Sequence, residues 1–145
     1  ISRNLYVHPY GVNTFKQWGY AGNAVFQVWR LIQAPVDTVH KRTFYLADYE
    51  PVDLDAFADT VQRSLGARPI RTVPPGLLRA VALAGDLLKI LGWKAPPLTT
   101  FRYRNLVTEE TQDLEPLQRV AGALPYTVDQ GIERTVAWMR AQGAI

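Results

Sequence analysis

The stretch VDLDAFADTVQRSLGARPIRTVPPGLLRAVALAGDLLKILG (52–92) predicts a helix, a short strand and a second helix in succession. Asp53 can cap the first helix, and Gly66 can end it, because glycine adopts the left-handed conformation at little steric cost. The apolar positions between them recur at helical spacing, which predicts one buried stripe. The residues of this stripe are Leu54, Phe57, Val61 and Leu65.

The second half of the stretch predicts the short strand and the second helix. RPIRTV (68–73) is bounded by prolines and contains β-branched residues, so it predicts a strand. Pro75 suits the first turn of a helix that runs to Leu91, and Gly92 follows its end. The predicted buried stripe of this helix is Leu77, Val81, Ala84, Leu88 and Leu91, with Arg79, Asp86 and Lys89 on the opposite side.

Upstream, residues 1–22 are rich in aromatic residues, glycine and asparagine and predict short extended pieces and turns. Asn23 can cap a helix that Pro35 ends. The apolar positions at helical spacing in this helix are Val25, Val28, Trp29 and Ile32. The run RTFYLAD (42–48) is β-rich and apolar, and predicts a largely buried strand.

Downstream, FRYRNLV (101–107) fits either a helix or a strand, and LEPLQRVAG (114–122) predicts a short helix behind Asp113. The last helix is the best specified, because Thr127 and Gln130 form a capping box ahead of it. Its predicted buried stripe is Val128, Ile132, Val136 and Met139. Together these elements predict an α/β protein, α+β-like, with several helices around a small sheet of two to four short strands.

Length and composition limit the possible functions. A chain of 145 residues is long enough for a single domain, over residues 1–145, but too short for a dinucleotide domain plus a substrate domain. The formal charge of +3 favours an anionic ligand such as a nucleotide diphosphate, but it is too small to predict nucleic-acid binding.

Other site types find little support. The chain has no cysteine, which excludes disulfides, thiolate zinc sites and cysteine nucleophiles and fits a cytoplasmic protein. His8 and His40 lie far apart, so no metal site is expected. We interpret Asp53, Asp55 and Asp59 as a helix cap and an exposed helix face. The apolar run 77–93 is interrupted by charges and falls short of a membrane span.

Two segments carry a family resemblance. FYLADYEPVDLDAFADTVQRSLGARP (44–69) and TQDLEPLQRVAGALPYTVDQGIERTVAWM (111–139) resemble the C-terminal substrate-binding region of extended short-chain dehydrogenase/reductases, the NAD-dependent epimerase/dehydratase family. The segment TFKQWGYAGNAVFQVWRLIQAP (14–35) is similar to an earlier part of the same region. The glycine-rich turn and the Tyr-x-x-x-Lys pair of that family have no counterpart in this chain. The resemblance therefore implies no catalytic residue here, no cofactor bound by this chain, and NAD or NADP bound by an N-terminal cofactor domain that these residues do not include.

The resemblance also implies which residues contact the substrate. The family's strand against the nucleotide base matches Tyr6, Val7 and His8. Its basic residue on the diphosphate or ribose matches Lys16, followed by an aromatic residue at Trp18. A second phosphate contact falls on Arg102 or Arg104, although the Arg-x-Gly-Asp pattern of the family is missing.

These matches predict the substrate-binding part of an NAD(P)-dependent nucleotide-sugar epimerase or dehydratase, inactive alone, with a nucleotide-diphosphate sugar or another small molecule as substrate. An alternative is a 3β-hydroxysteroid-dehydrogenase-like or other lipid or alcohol oxidoreductase, which the missing Arg-x-Gly-Asp pattern and the apolar helix 75–91 favour. Another alternative is a non-catalytic regulatory relative. The strand predicted at 42–48 would lack its sheet neighbour in this chain, so we also expect it to pair with a second copy in a homodimer.

Overall fold

The computed structural model describes residues 6–145. In chain order its helices are α1 (Ala21–Gln33), α2 (Val36–Val39), α3 (Leu54–Leu65), α4 (Pro75–Ile90), α5 (Thr100–Val107), α6 (Glu115–Ala121) and α7 (Val128–Ala141). The strands are β1 (Val7–Pro9), β2 (Phe15–Lys16), β3 (Val52–Asp53) and β4 (Arg71–Val73). The predicted fold class, a helix-rich α/β protein with a few short strands, is confirmed.

The chain divides into two units. Unit 1 contains the chain up to Phe15 together with Asp53–Glu109, and unit 2 contains Lys16–Val52 together with Glu110–Ile145. The two-residue strands β2 and β3 lie where the chain passes between the units.

In unit 1, β1 and β4 pair in parallel, with Val7 opposite Arg71 and Pro9 opposite Val73. The predicted strand 68–73 is therefore present in its second half. Helix α3 begins where the Asp53 side chain accepts a hydrogen bond from the Ala56 amide at 2.9 Å, and it ends at Gly66 with φ of 66°. Both signals that the sequence predicted for this helix are confirmed.

Helix α4 begins at Pro75 as expected, but its predicted buried stripe is wrong. The buried residues are Leu78, Ala82 and Gly85, whereas Leu77 and Leu91 are 56% and 73% exposed. The reason is a close backbone contact, since a Cβ at position 85 would lie 1.8 Å from the Leu98 carbonyl oxygen. Small residues therefore form the packed side of this helix.

Helix α5 settles the segment that the sequence left ambiguous. The Thr99 hydroxyl accepts a hydrogen bond from the Arg102 amide at 3.3 Å and caps a helix over Thr100–Val107. The Asp86 carboxylate accepts from the Thr100 amide at 3.2 Å, which ties α4 to the start of α5. The Asp86 carboxylate therefore points to the start of α5 and not to the exposed side of α4.

In unit 2, the predicted stripe of α1 is also wrong. The helix starts at Ala21, so Asn23 lies inside it rather than at its cap, and the buried residues are Asn23 and Gln27. Asn23 donates to Asp48 Oδ1 at 2.8 Å and to the Tyr126 carbonyl at 2.9 Å. Gln27 donates to the Ala47 carbonyl at 2.7 Å. The apolar residues Val25, Val28, Trp29 and Ile32 are consequently exposed.

The strand predicted at 42–48 is not formed. The segment is irregular, and the Asp48 amide donates to the Trp18 carbonyl at 2.9 Å. Ala47 and Asp48 are buried because they accept hydrogen bonds from α1, whereas Tyr45 is 57% exposed. Hydrogen bonds within unit 2 therefore hold this segment in place of the expected strand pairing. The homodimer was expected to form through that strand, and residues 42–48 do not form a strand.

The C-terminal helices of unit 2 follow the sequence closely. The Glu115 amide donates to Asp113 at 3.0 Å at the start of α6. The predicted capping box of Thr127 and Gln130 is present at the start of α7. Apolar residues of both helices form the core of the unit, with Leu117, Ala121, Ile132 and Val136 buried.

Across residues 6–145, no helix has the length and apolar content that crossing a membrane requires. This agrees with the sequence interpretation of 77–93.

Candidate functional site

The densest group of ionisable side chains that the structure shows surrounds His8 on β1. His8 is 8% exposed. Its Nδ1 lies 2.7 Å from Asp55 Oδ1, and its Nε2 lies 3.0 Å from Asp59 Oδ1. Both ring nitrogens therefore have carboxylate partners within unit 1.

The arrangement follows from the local sequence. Asp55 and Asp59 are four residues apart in α3, so they project from the same face of the helix. Asp53 fixes where that helix begins, and the Leu54 amide donates to the Thr14 carbonyl at 2.9 Å, which holds its start against the chain that follows β1. An ionised carboxylate only accepts hydrogen bonds, so the tautomer of the His8 ring decides which of the two carboxylates accepts from an N–H.

Tyr6 completes the group. Its ring meets the His8 ring edge to face, with centroids 5.5 Å apart and an interplanar angle of 86°. Its hydroxyl is buried. Burial raises the pKa of Tyr6, and the negative charges of Asp55, Asp59 and Asp53 raise it further. A hydrogen bond with Asp55 also contributes to the raised pKa of Tyr6, and the phenol is neutral at physiological pH.

We call Tyr6, His8, Asp55 and Asp59 the β1 cluster. The His8 ring faces two carboxylates in it, and Asp53 adds a third negative charge nearby. The surroundings of β1 are therefore acidic, which disfavours an anionic group and suits a neutral hydroxyl or carbonyl.

Lys16, the expected phosphate contact, lies in unit 2. The residue is 6% exposed, and its ammonium lies 3.5 Å from Glu110 Oε2. The backbones of the same two residues form a parallel bridge. The positive charge of Lys16 is therefore largely neutralised by the chain itself.

Arg102 is similarly engaged. Its guanidinium donates to the carbonyl oxygens of Pro96 and Pro97 at 2.9 Å and 3.0 Å. Arg104 is exposed, and Trp18 is 42% exposed. Of the seven residues expected to contact substrate, Lys16 and Trp18 belong to unit 2 and the other five to unit 1. The structure joins Tyr6 and His8 directly, and substrate contacts by all seven stay a prediction.

The sequence interpretation missed two members of the β1 cluster. Asp55 and Asp59 were expected on an exposed helix face, but both lie within hydrogen-bond distance of the His8 ring, and only the capping role of Asp53 is confirmed. Their i, i+4 spacing was a visible signal. The distance of 47 residues between His8 and Asp55 hid the pairing.

Within the part of the chain that the structure describes, no group of three or more histidine, aspartate or glutamate side chains is arranged to hold a metal ion. The chemistry that the β1 cluster offers is hydrogen bonding and charge.

Comparison with known proteins gives one distant relative and no family. No protein-family model matches the chain, and no solved structure matches it. A protein of Escherichia coli (strain K12) described as "Uncharacterized protein YbjS" is 29% identical over 141 residues, which cover 94% of this chain. The chain spans 42% of the length of that relative.

Proposed function

We propose that the chain is the substrate-binding part of an NAD(P)-dependent oxidoreductase of the extended short-chain type, acting on a neutral, largely apolar alcohol or ketone. A 3β-hydroxysteroid is the model substrate of this class. The observation that carries the proposal is the acidic environment of β1, the strand that the resemblance assigns to the substrate.

The charges around Tyr6 discriminate between the two substrate classes. Asp53, Asp55 and Asp59 all raise its pKa, so all three act electrostatically on this position. A further negative charge about 6 Å from one carboxylate costs about 3 kcal/mol at an effective dielectric constant of about 20. The resemblance places the nucleotide base against Tyr6 and the diphosphate at Lys16, so a nucleotide sugar would meet this repulsion only where its phosphates approached β1, whereas a neutral substrate meets none.

Two of the three cations that the resemblance assigns to phosphate are already engaged, and the third, Arg104, is exposed. Lys16 is paired with Glu110, and Arg102 is held by two carbonyl oxygens. Recruiting either of them for a diphosphate would require breaking these contacts. This supports the oxidoreductase hypothesis over the nucleotide-sugar hypothesis.

The chain's own residues would bind and orient the substrate. The Tyr6 phenol can donate a hydrogen bond to a substrate oxygen, and the ion pairs of His8 hold its ring in a fixed position beside it. Such positioning lowers the barrier of a reaction that the cofactor performs. Bound NAD or NADP would supply the hydride chemistry from outside these residues. We place the complete protein in the cytoplasm, consistent with the lack of cysteine in these 145 residues.

The test is a substrate survey with the full-length protein and either NAD or NADP. We expect oxidation of apolar secondary alcohols, with a 3β-hydroxysteroid as the probe, and no epimerisation or dehydration of UDP-glucose. Turnover of UDP-glucose without turnover of any alcohol would overturn the proposal. Absence of both turnover and cofactor binding would instead identify a non-catalytic regulatory relative.

Two variants test whether the substrate binds at the β1 cluster. Tyr6→Phe removes one hydrogen bond to the substrate, so we expect the Michaelis constant to rise about tenfold with cofactor affinity unchanged. Lys16→Ala is the matched control and should leave the Michaelis constant as it is. A raised Michaelis constant for Lys16→Ala, with no change for Tyr6→Phe, would place the substrate site at Lys16.

A further inference from the structure

The outward side of α4 is apolar. Leu78, Ala82 and Gly85 lie on the packed side. Leu83, Leu87 and Ile90 follow one another at helical spacing on the other side and are 58%, 58% and 81% exposed. Leu91 and Trp93, just beyond the helix, are 73% and 51% exposed. We call these five residues the α4 face.

The segment that carries the α4 face is strongly basic. The segment 68–104 contains seven lysine and arginine residues and one acidic residue, a net charge of +6 in a chain whose total is +3. The acidic residue is Asp86, whose carboxylate accepts a hydrogen bond from the Thr100 amide. The basic residues, all exposed, are Arg68, Arg71, Arg79, Lys89, Lys94, Arg102 and Arg104.

This combination identifies the kind of surface that would cover the α4 face. A helix with an apolar side, a tryptophan at its end and neighbouring lysine and arginine residues lies in the interface of an anionic bilayer, with its apolar side about 5–10 Å deep. A second copy fits poorly, because face-to-face contact would bring two strongly positive segments together. The 16 residues of α4 extend about 24 Å, short of the roughly 30 Å hydrocarbon core, so the helix would lie along the membrane.

We propose that the α4 face docks on the surface of an anionic lipid membrane. Leu87 and Ile90 would enter the acyl boundary, Trp93 would lie at the headgroup level, and Arg79 and Lys94 would contact lipid phosphates. The proposal rests on the α4 face and its charges, and it holds whether or not the proposed reaction is correct.

The test uses the full-length protein and sedimentation with vesicles of phosphatidylcholine, alone or mixed with phosphatidylglycerol. We expect binding to the mixed vesicles that weakens as salt rises, with little binding to phosphatidylcholine alone. The double variant Leu87→Glu, Ile90→Glu should bind at least about tenfold more weakly. Ile32→Glu is the matched control, because Ile32 is also an isoleucine on an exposed helix face, 71% exposed, and should change nothing.

A charge variant tests the second half of the proposal. Arg79→Glu, Lys94→Glu should weaken binding to the mixed vesicles about tenfold or more at low salt. The control variant Arg42→Glu, at an exposed arginine of unit 2, should leave binding to the mixed vesicles unchanged. Equal circular-dichroism melting curves would show that all variants are folded.

Three outcomes would overturn the proposal. The first is no binding of the parent protein to mixed vesicles, and the second is equal binding by the Leu87/Ile90 and Ile32 variants. The third is self-association in the absence of lipid that the Leu87/Ile90 variant abolishes, because that result would assign the α4 face to a second copy.

Discussion

At the residue scale, His8 shows how a partner distant in sequence changes the role of a side chain. From the sequence, His8 stood beside Pro9 with no acidic neighbour, and its expected role came only from a family resemblance. In the structure both ring nitrogens meet carboxylates of α3. No sequence periodicity relates β1 to α3, so the pairing required the tertiary fold.

Replacing His8 tests the strength of this pairing. His8→Ala leaves Asp55 and Asp59 without the imidazole ring between them. A charged hydrogen bond contributes about 1.5–3 kcal/mol, but both carboxylates are partly exposed, so we expect a loss of only about 1–2 kcal/mol in the free energy of unfolding. Urea unfolding measures it, with the exposed His40→Ala as control. Equal stability of the two variants would contradict the ion-paired cluster.

The raised pKa of Tyr6 predicts a pH dependence of stability. The unfolded chain loses the phenol proton near pH 10, whereas the folded chain retains it to higher pH. The unfolded state therefore gains stability by ionising first, and the contribution of Tyr6 to folding is complete below about pH 10 and falls above it. Tyr6→Phe should unfold with a shallower decline in this alkaline range. Parallel pH profiles for parent and variant would refute the raised pKa.

At the element scale, most local signals predicted where helices begin and end, except the cap expected at Asn23, but they did not predict which side of α1 and α4 is buried. The cap at Asp53, the proline at Pro75 and the box of Thr127 and Gln130 depend on neighbouring residues, and all were confirmed. The buried sides of α1 and α4 depend on what packs against them. Buried amides in α1 and a backbone contact at Gly85 reversed the apolar pattern in both.

The buried amide of Asn23 should therefore contribute more to stability than the apolar residues of α1. Asn23→Ala removes its bonds to Asp48 and Tyr126 and leaves those groups unpaired, at a cost of about 1–3 kcal/mol. Val25→Ala, on the same helix and 70% exposed, should cost less than about 0.5 kcal/mol. Chemical denaturation of both variants decides between the buried polar side and the predicted apolar stripe.

The close contact at Gly85 gives a second prediction for an element. Gly85→Ala places a methyl group 1.8 Å from the Leu98 carbonyl oxygen, so α4 must shift, and we expect a loss of at least about 1–3 kcal/mol. Gly76→Ala in the same helix has open space around its Cβ and should raise stability by about 0.5–1 kcal/mol. Thermal melting compares the two variants. A raised melting temperature for both would mean that α4 does not pack against Leu98 as the structure shows.

At the scale of the whole molecule, composition and spacing predicted a helix-rich α/β chain, and the structure confirms that class. They did not predict the division into two units, because each unit is built from two separate stretches of sequence. The candidate site shows the same limit. Its aromatic and histidine members on β1 were selected from the sequence, whereas the acidic surroundings that favour a neutral substrate appeared only in the structure.

The central claim is that the substrate is neutral, and ligand-induced stabilisation of the full-length protein tests it most directly. A ligand at about a hundred times its dissociation constant adds about 2.7 kcal/mol to the folded state. With NAD or NADP present, we predict that a 3β-hydroxysteroid or another apolar alcohol raises the melting temperature, and that uridine and thymidine diphosphates do not. A rise with either diphosphate, and none with any apolar alcohol, would contradict the account.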